Sequence, residues 1–357
     1  MTLYLRPTAF IDAPFGFDGQ ATRLAGGLVW FSAVEVITRT GKTLVPVDRI
    51  DAFRATLPDT DTARFDRLWR NLTSPRAPLT LGTRTLRFDA PEVMAILNLT
   101  PDSFSGGGIG DVDAAVAKAV DMAVSGAAII DIGAESTRPG AKLVWEQDEI
   151  ARLIPVLERL RGADLLISAD TRKAAVMRAA ISGGARIIND VSGLMWDAHA
   201  LGVVAEAGCP VILMHHQGDP QTMQRNPTYA NVLLDIFDWL EARIKVCITA
   251  GITPNNIIVD PGIGFGKTVR HNLDLLNGLS IFHGLGCPIL LGASRKRFIG
   301  ALTNEEPVEG RLPGSLAVAI SALAQGTQLL RVHDVKETVQ LVQVWRGLRD
   351  AALTPPV

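Results

Sequence analysis

The chain has 357 residues, 47% of them hydrophobic and 20% charged, a composition that excludes a disordered polymer and implies a large buried core. Its 35 Lys and Arg stand against 37 Asp and Glu, a net charge of -2, so no global positive field exists to hold nucleic acid or an anionic membrane, and neither partner is expected. Three widely spaced cysteines, Cys209, Cys247 and Cys287, form no C-x-x-C pair, the start of the chain lacks signal-peptide features, and apolar runs break early, so a cytoplasmic, soluble protein is expected.

Residues 1–77 carry Pro7, Pro14 and Pro58, a strand-like stretch at 27–39 and a charged stretch at 59–71 that suits one helix. They are read as an accessory segment beside a second domain spanning 78–357. Residues 79–88 have the pattern of a β-hairpin turning at Gly82-Thr83, placed to plug one mouth of that second domain.

From residue 92 one rhythm recurs: a short apolar run, a polar end, a Gly-rich loop and a stretch of helix length. The runs fall at 93–97, 128–130, 165–169, 186–188, 211–214, 256–259, 288–291 and 328–332. They are nearly continuous rather than alternating, as for parallel strands buried on both faces. Helical segments are expected at 112–124, 146–160, 172–182, 198–207, 231–250, 272–282, 315–325 and 335–348. Eight such pairs indicate an α/β fold, a (β/α)8 TIM barrel, with an open doubly wound sheet as the structural competitor.

In such barrels chemistry sits at the C-terminal strand ends, and here those ends are polar. They carry Asn98 and Thr100 to Gly108, then Asp131 and Glu135 to Gly140, Asp170 to Lys173, Asn189-Asp190 and His215 to Gly218. Asp260 to Lys267, Ser294 to Lys296 and Arg331 to Asp334 complete the set. One Asp after a strand is usually a cap or turn former. Eight polar ends together suit a planar polar heterocycle joined to an anion.

Residues 79–344, about three quarters of the chain, resemble the dihydropteroate synthases, the folate-pathway branch of the pterin-binding barrels. The resemblance is carried by Ile96 to Ser105, Glu135 to Gly140, Ile188 to Val191, Asp260 to Lys267, Ser294 to Lys296 and Arg331 to Val335. The sequence departs from the family pattern at Ala95, Gly106, His216 and Asp219, and its N-terminal segment is longer than the common bacterial form. The resemblance implies condensation of 6-hydroxymethyl-7,8-dihydropterin pyrophosphate with p-aminobenzoate, Mg²⁺ as cofactor, and a homodimer. It assigns Asp170, Asn189, Met214, Asp260, Gly292 and Lys296 to the pterin. Phe104, Thr137, Pro139, Phe265 and Ser294 fall to p-aminobenzoate, and Asn98, Arg138, Arg331 and His333 to pyrophosphate. Asn98 doubles as the metal residue, and Asn98, Arg138, Lys296, Arg331 and His333 are the catalytic set.

These assignments suit the chemistry. A carboxylate accepts two parallel N–H donors in a fork, as Asp260 would from the pterin, and a lysine is donor-only where the ring offers acceptors. An aniline nitrogen is unprotonated at neutral pH, so no Ser-His-Asp or Cys-His set is required. Blander readings remain: a turn at Asp260-Pro261, a solvated Lys296 beside Arg295 and Arg297, a barrel-floor His333, a packing Phe265. Gly266-Lys267-Thr268 is no P-loop, because Pro261 stands where its first glycine belongs. Adjacent strand residues face opposite ways, so His215-His216 offers at most one side chain to the mouth. A methyltetrahydrofolate:corrinoid methyltransferase, a noncatalytic pterin-binding paralogue and a metal-dependent hydrolase are the competing readings.

Overall fold

A computed structural model describes residues 2–99, 112–136, 143–218 and 222–354. Eight parallel strands form its centre: β7 (Glu92–Asn98), β8 (Ile129–Gly133), β9 (Ile167–Asp170), β10 (Ile187–Asp190), β11 (Val211–Met214), β12 (Ile257–Asp260), β13 (Leu290–Leu291) and β14 (Leu329–Val332). Their order is β12-β11-β10-β9-β8-β7-β14-β13, and a parallel bridge from Val259 to Ile289 brings the two edges together. The doubly wound competitor is thereby excluded. All eight expected runs are strands; several begin one or two residues later and extend into their polar ends, because Asp131, Asp170, Asn189 and Asp260 lie inside the barrel's upper layer.

Around the barrel stand α3 (Val112–Val124), α4 (Glu146–Leu160), α5 (Ala174–Gly183), α6 (Ala200–Ala207), α7 (Val232–Thr249), α8 (Val269–Asn277), α9 (Arg297–Leu302), α10 (Leu312–Leu323) and α11 (Val335–Leu353). The segment expected at 272–282 is instead α8 followed by a 3-10 turn over Leu279–Leu285. Gly278 breaks it where the Leu233 side chain leaves no room for a Cβ. Helix α10 starts at Leu312 rather than 315, since Pro313 occupies the first turn, where its missing N–H costs no helical bond. The short α9 was not expected.

The hairpin is present as β5 (Leu79–Leu81) and β6 (Arg84–Leu86). Its Leu79 and Leu86, with Phe88, pack onto Met94, Ile129, Leu166, Ile187, Ile212, Ile258, Leu290 and Leu329. Those lie on, or one residue from, each barrel strand, so the hairpin closes the N-terminal mouth and leaves the polar C-terminal mouth for chemistry.

In the accessory segment the strand expected within 27–39 and the helix expected at 59–71 are both present, together with elements the sequence did not suggest. The segment comprises β1 (Tyr4–Ile11), β2 (Thr22–Arg23), β3 (Trp30–Ile37), β4 (Lys42–Pro46), α1 (Ile50–Arg54) and α2 (Asp59–Thr73). Strands β1, β2 and β4 each pair antiparallel with β3. The segment lies against α7 and the turn over Leu279–Leu285: Tyr4 meets Phe237 edge-on at 5.4 Å and donates to Asp238 at 2.8 Å. Asn71 donates to the Gly284 carbonyl at 2.8 Å, and Arg39 and Arg64 pair with Asp235 and Glu241. One continuous apolar core joins Leu5, Phe31 and Leu68 of the segment to the barrel.

Candidate active site

Registry fixes the layout of the mouth. Asn98 pairs with Gly133, Gly133 with Asp170, Asp170 with Asn189, and Met214 with Asp260, so the strand ends from β7 to β12 sit at nearly one level. Strand β14 lies beside β7, which brings Arg331, 233 residues beyond Asn98 in sequence, to a neighbouring strand.

Four side chains from β8, β9, β10 and β14 form a buried polar group. Arg331 Nε donates to Asp131 Oδ2 at 2.7 Å and its Nη2 to Asp170 Oδ2 at 2.6 Å, while Asn189 Nδ2 donates to Asp131 Oδ2 at 3.0 Å. Burial raises the Asp170 carboxyl to about 7, with Arg331 opposing and Asp131, Glu149 and Asp190 reinforcing the rise. Burial alone would lower the Arg331 guanidinium; Asp131 and Asp170 outweigh it and hold the charge firmly. The sequence assigned no role to Asp131. Its signal was a carboxylate at the strand end two strands from an arginine, legible only once the barrel order is known.

Across the mouth, Asp260 is buried and accepts the Gly262 amide at 2.7 Å through Oδ1. Its Oδ2 faces Gly292, where a Cβ would stand 3.6 Å away. Burial raises this carboxyl too, against the pull of Lys296 and the Gly262 amide. Lys296 donates to the Ile263 carbonyl, stands 4.6 Å from the Phe265 ring centroid, and is lowered by burial to about 8. It is therefore part of the mouth, whereas the neighbouring Arg297 is exposed. Arg295 turns away to pair with Asp334, Nε to Oδ2 at 2.9 Å.

The loop after β12 is held tightly. Gly262, at φ +70, runs so close to the His215 carbonyl that a Cβ would come within 1.9 Å of it, which only glycine permits. Lys267 is buried, donates to the Phe265 carbonyl at 2.9 Å and lies 3.0 Å from His215 Nδ1. Burial drives the Lys267 ammonium well below its ordinary value and His215 down to about 2. Lys267 thus anchors the loop that carries Phe265. His215 is a packing residue, and the described residues contain no group of three or more His, Cys, Asp or Glu placed to hold a metal.

Just beyond β14, His333 Nδ1 lies 3.1 Å from Ser294 Oγ, linking two residues that the sequence assigns to different substrates. Phe104, Thr137, Arg138 and Pro139, with Gly106 and Asp219, lie outside the described residues. Beside that segment, Glu135 accepts the Val144 amide at 2.9 Å and pairs with Lys173 at 3.0 Å.

A buried fork of carboxylates and an amide opposite a lysine, at the open mouth of a plugged eight-stranded barrel, defines a pterin-binding enzyme. The family model described as "Pterin binding enzyme" matches residues 94–333. Dihydropteroate synthase of Escherichia coli K12 is 47% identical over 263 residues, covering 73% of this chain and 92% of that protein. The Yersinia pestis dihydropteroate synthase solved with a sulfonamide drug complex superposes with a TM-score of 0.73 at 45% identity, over 77% of this chain and 100% of that one. The Xanthomonas albilineans dihydropteroate synthase in complex with 7,8-dihydropteroate gives 0.69 at 42% identity, over 76% and 99%. The chain belongs to the dihydropteroate synthase family, and its activity is that family's transferase activity.

Proposed function

We propose that the mouth of this barrel joins 6-hydroxymethyl-7,8-dihydropterin pyrophosphate to p-aminobenzoate, with a distinct set of residues for each part of the substrates. Asp260 Oδ2 and Asn189 Oδ1 accept from the pterin's amino and ring N–H groups, and Lys296 donates to its carbonyl and ring-nitrogen edge. Asp170, Met214 and Gly292 complete the slot. The observation that carries this reading is the fork itself: buried acceptors on β10 and β12 facing a half-buried, donor-only lysine after β13.

In the reaction the exocyclic C–O bond breaks, pyrophosphate leaves with the electron pair, and the electron-rich pterin spreads the positive charge left on the CH₂. The amine of p-aminobenzoate then forms the C–N bond and releases a proton to solvent. Arg331 and His333, with Arg138 from the sequence, hold the departing anion, and electrostatic stabilisation of that charge carries the rate. Ser294 meets the p-aminobenzoate carboxylate and Phe265 flanks its ring, with Phe104, Thr137 and Pro139 assigned to the same substrate by the resemblance.

Mg²⁺ fits this donor set. Asn98, partly exposed at the end of β7, offers one amide oxygen, and a hard cation that keeps water and phosphate ligands needs one or two protein oxygens. When bound, it would neutralise charge on the leaving group.

The protein is proposed to act in the cytoplasm; no described helix is long and apolar enough to cross a membrane, and all three cysteines are free. A homodimer through the last helices is supported by exposed Ile320 on α10 and exposed Val344 and Leu348 on α11. Residues 1–77 are proposed as an accessory unit that braces α7. Purified protein should release pyrophosphate from the pterin ester only with p-aminobenzoate and Mg²⁺ both present. Release independent of p-aminobenzoate would refute the transferase reading.

A further inference from the structure

We propose that Asp131 is a positioning residue of the pterin site: one oxygen of its carboxylate decides which end of the Asn189 amide faces the ligand and fixes the plane of the Arg331 guanidinium. The proposal rests on the pterin reading and deepens it, since neither the sequence motifs nor that reading gives Asp131 a part.

Asp131 lies in the middle of β8 and is fully buried. Its Oδ2 receives Arg331 Nε at 2.7 Å, Arg331 Nη2 at 2.6 Å and Asn189 Nδ2 at 3.0 Å, while its Oδ1 is buried with no hydrogen-bond partner among the described residues. An ion pair so placed contributes little net stability, because the cost of taking both charges out of water offsets their attraction. Geometry is what the arrangement supplies.

The two ends of an asparagine amide are nearly the same size, so its neighbours decide which end points where. An ionised carboxylate only accepts. Asp131 therefore draws Asn189 Nδ2 toward itself, and Oδ1 is left as the acceptor for a ligand N–H. Were the amide reversed, its NH₂ would meet the ligand's own donors. The same Oδ2 takes two nitrogens of Arg331, and Asp170 takes Nη2 from the other side, so the guanidinium is clamped between β8 and β9. One atom thus couples the acceptor that reads the heterocycle to the cation that serves the leaving group.

The test uses the full chain with 6-hydroxymethylpterin as the calorimetric probe. Asp131→Asn keeps the shape and lets residue 131 donate as well as accept, so the Asn189 amide loses its fixed sense. We expect pterin affinity to fall about tenfold or more, and KM for the pterin pyrophosphate to rise by a similar factor, while KM for p-aminobenzoate stays within about twofold. Arg331 pairs with Asp170, and the charges of Asp131, Glu149 and Asp190 act on it as well. Removing the Asp131 charge should therefore move the acid limb of the pterin-binding pH profile downward, which a merely structural loss would not do.

A double-mutant cycle gives the second readout. On an Asn189→Ala background, Asp131→Asn should weaken pterin binding markedly less than it does alone, because Asp131 acts through that amide. Full additivity, or unchanged affinity in a folded Asp131→Asn, would overturn the proposal. If that variant fails to fold, Asp131→Ser carries the same comparisons, and the same results support or overturn the proposal. Absence of pterin binding by the unmutated protein would instead refute the pterin reading.

Discussion

Lys173 Nζ stands 2.6 Å from Glu149 Oε2 and 3.0 Å from Glu135 Oε2, with all three side chains at most 4% exposed. This ties the start of α5 to α4 and to the strand-end segment after β8. Burial raises the Glu149 carboxyl despite the lysine, whereas for Glu135 the Val144 amide, Lys173 and Arg172 overcome burial and lower it. Removing the lysine takes away the cation shared by the two buried carboxylates; Glu135 keeps Arg172 and the Val144 amide, and Glu149 keeps no cation in the cluster.

Lys173→Met is therefore expected to destabilise the protein by about 3 to 5 kcal/mol, the cost of stranding a buried charge. The double variant Lys173→Met with Glu149→Leu should recover most of that loss, because both charges leave together. Urea denaturation of the two variants checks this, and a loss below about 1 kcal/mol for Lys173→Met would show that the cluster is solvated.

With the proposed role of Lys296, an alkaline limit on pterin binding is expected. Burial lowers this lysine to about 8, so its proton, and with it the proposed donor to the pterin, is lost as pH rises through that value. Stability runs the other way. The folded value lies below the unfolded one, so this group's contribution is present above its ordinary value and is lost as pH falls through about 8. Pterin affinity measured relative to a Lys296→Met variant, which shares the ligand's own ionisation, should decline above about pH 8. A constant ratio would remove Lys296 from the pterin's edge.

Every residue assigned to substrate lies at or beyond Asn98, yet deletion of residues 1–75 is not expected to leave a well-behaved barrel. The deletion uncovers Phe237, Phe282 and Leu285, now packed in one core with Leu5, Phe31 and Leu68 of the accessory segment. Burying one such side chain contributes about 1.5 to 3 kcal/mol. Light scattering and thermal melting of the truncated protein should show aggregation or a large drop in melting temperature. A monodisperse truncation melting with the full chain would mean the segment is merely attached.

The barrel was legible because each strand is a continuous aliphatic run, as at residues 211–214, set between loop signals too close together for a helix, and because the hairpin turn at Gly82 carries its own signal. Of the accessory sheet, β3 was legible inside the strand-like stretch at 27–39, but β1 was not, since it contains Pro7 and runs into exposed positions, so its alternation is broken. Among site residues, Asp260, Asn189 and Lys296 stood in motifs. Asp131 and the Lys173–Glu149 pair did not, because their meaning lies in partners 24 to 200 residues away that only closure of the barrel brings together.

If Asp260 reads the pterin through its buried carboxylate, Asp260→Asn should abolish that reading. An amide presents its own donors to the pterin N–H groups in place of one acceptor, which should cost about 2 to 5 kcal/mol of binding while the Gly262 turn and the fold persist. Calorimetry with 6-hydroxymethylpterin is predicted to show affinity reduced by that amount or abolished in a variant whose circular dichroism matches the unmutated protein. Unchanged affinity in the folded variant would contradict the account.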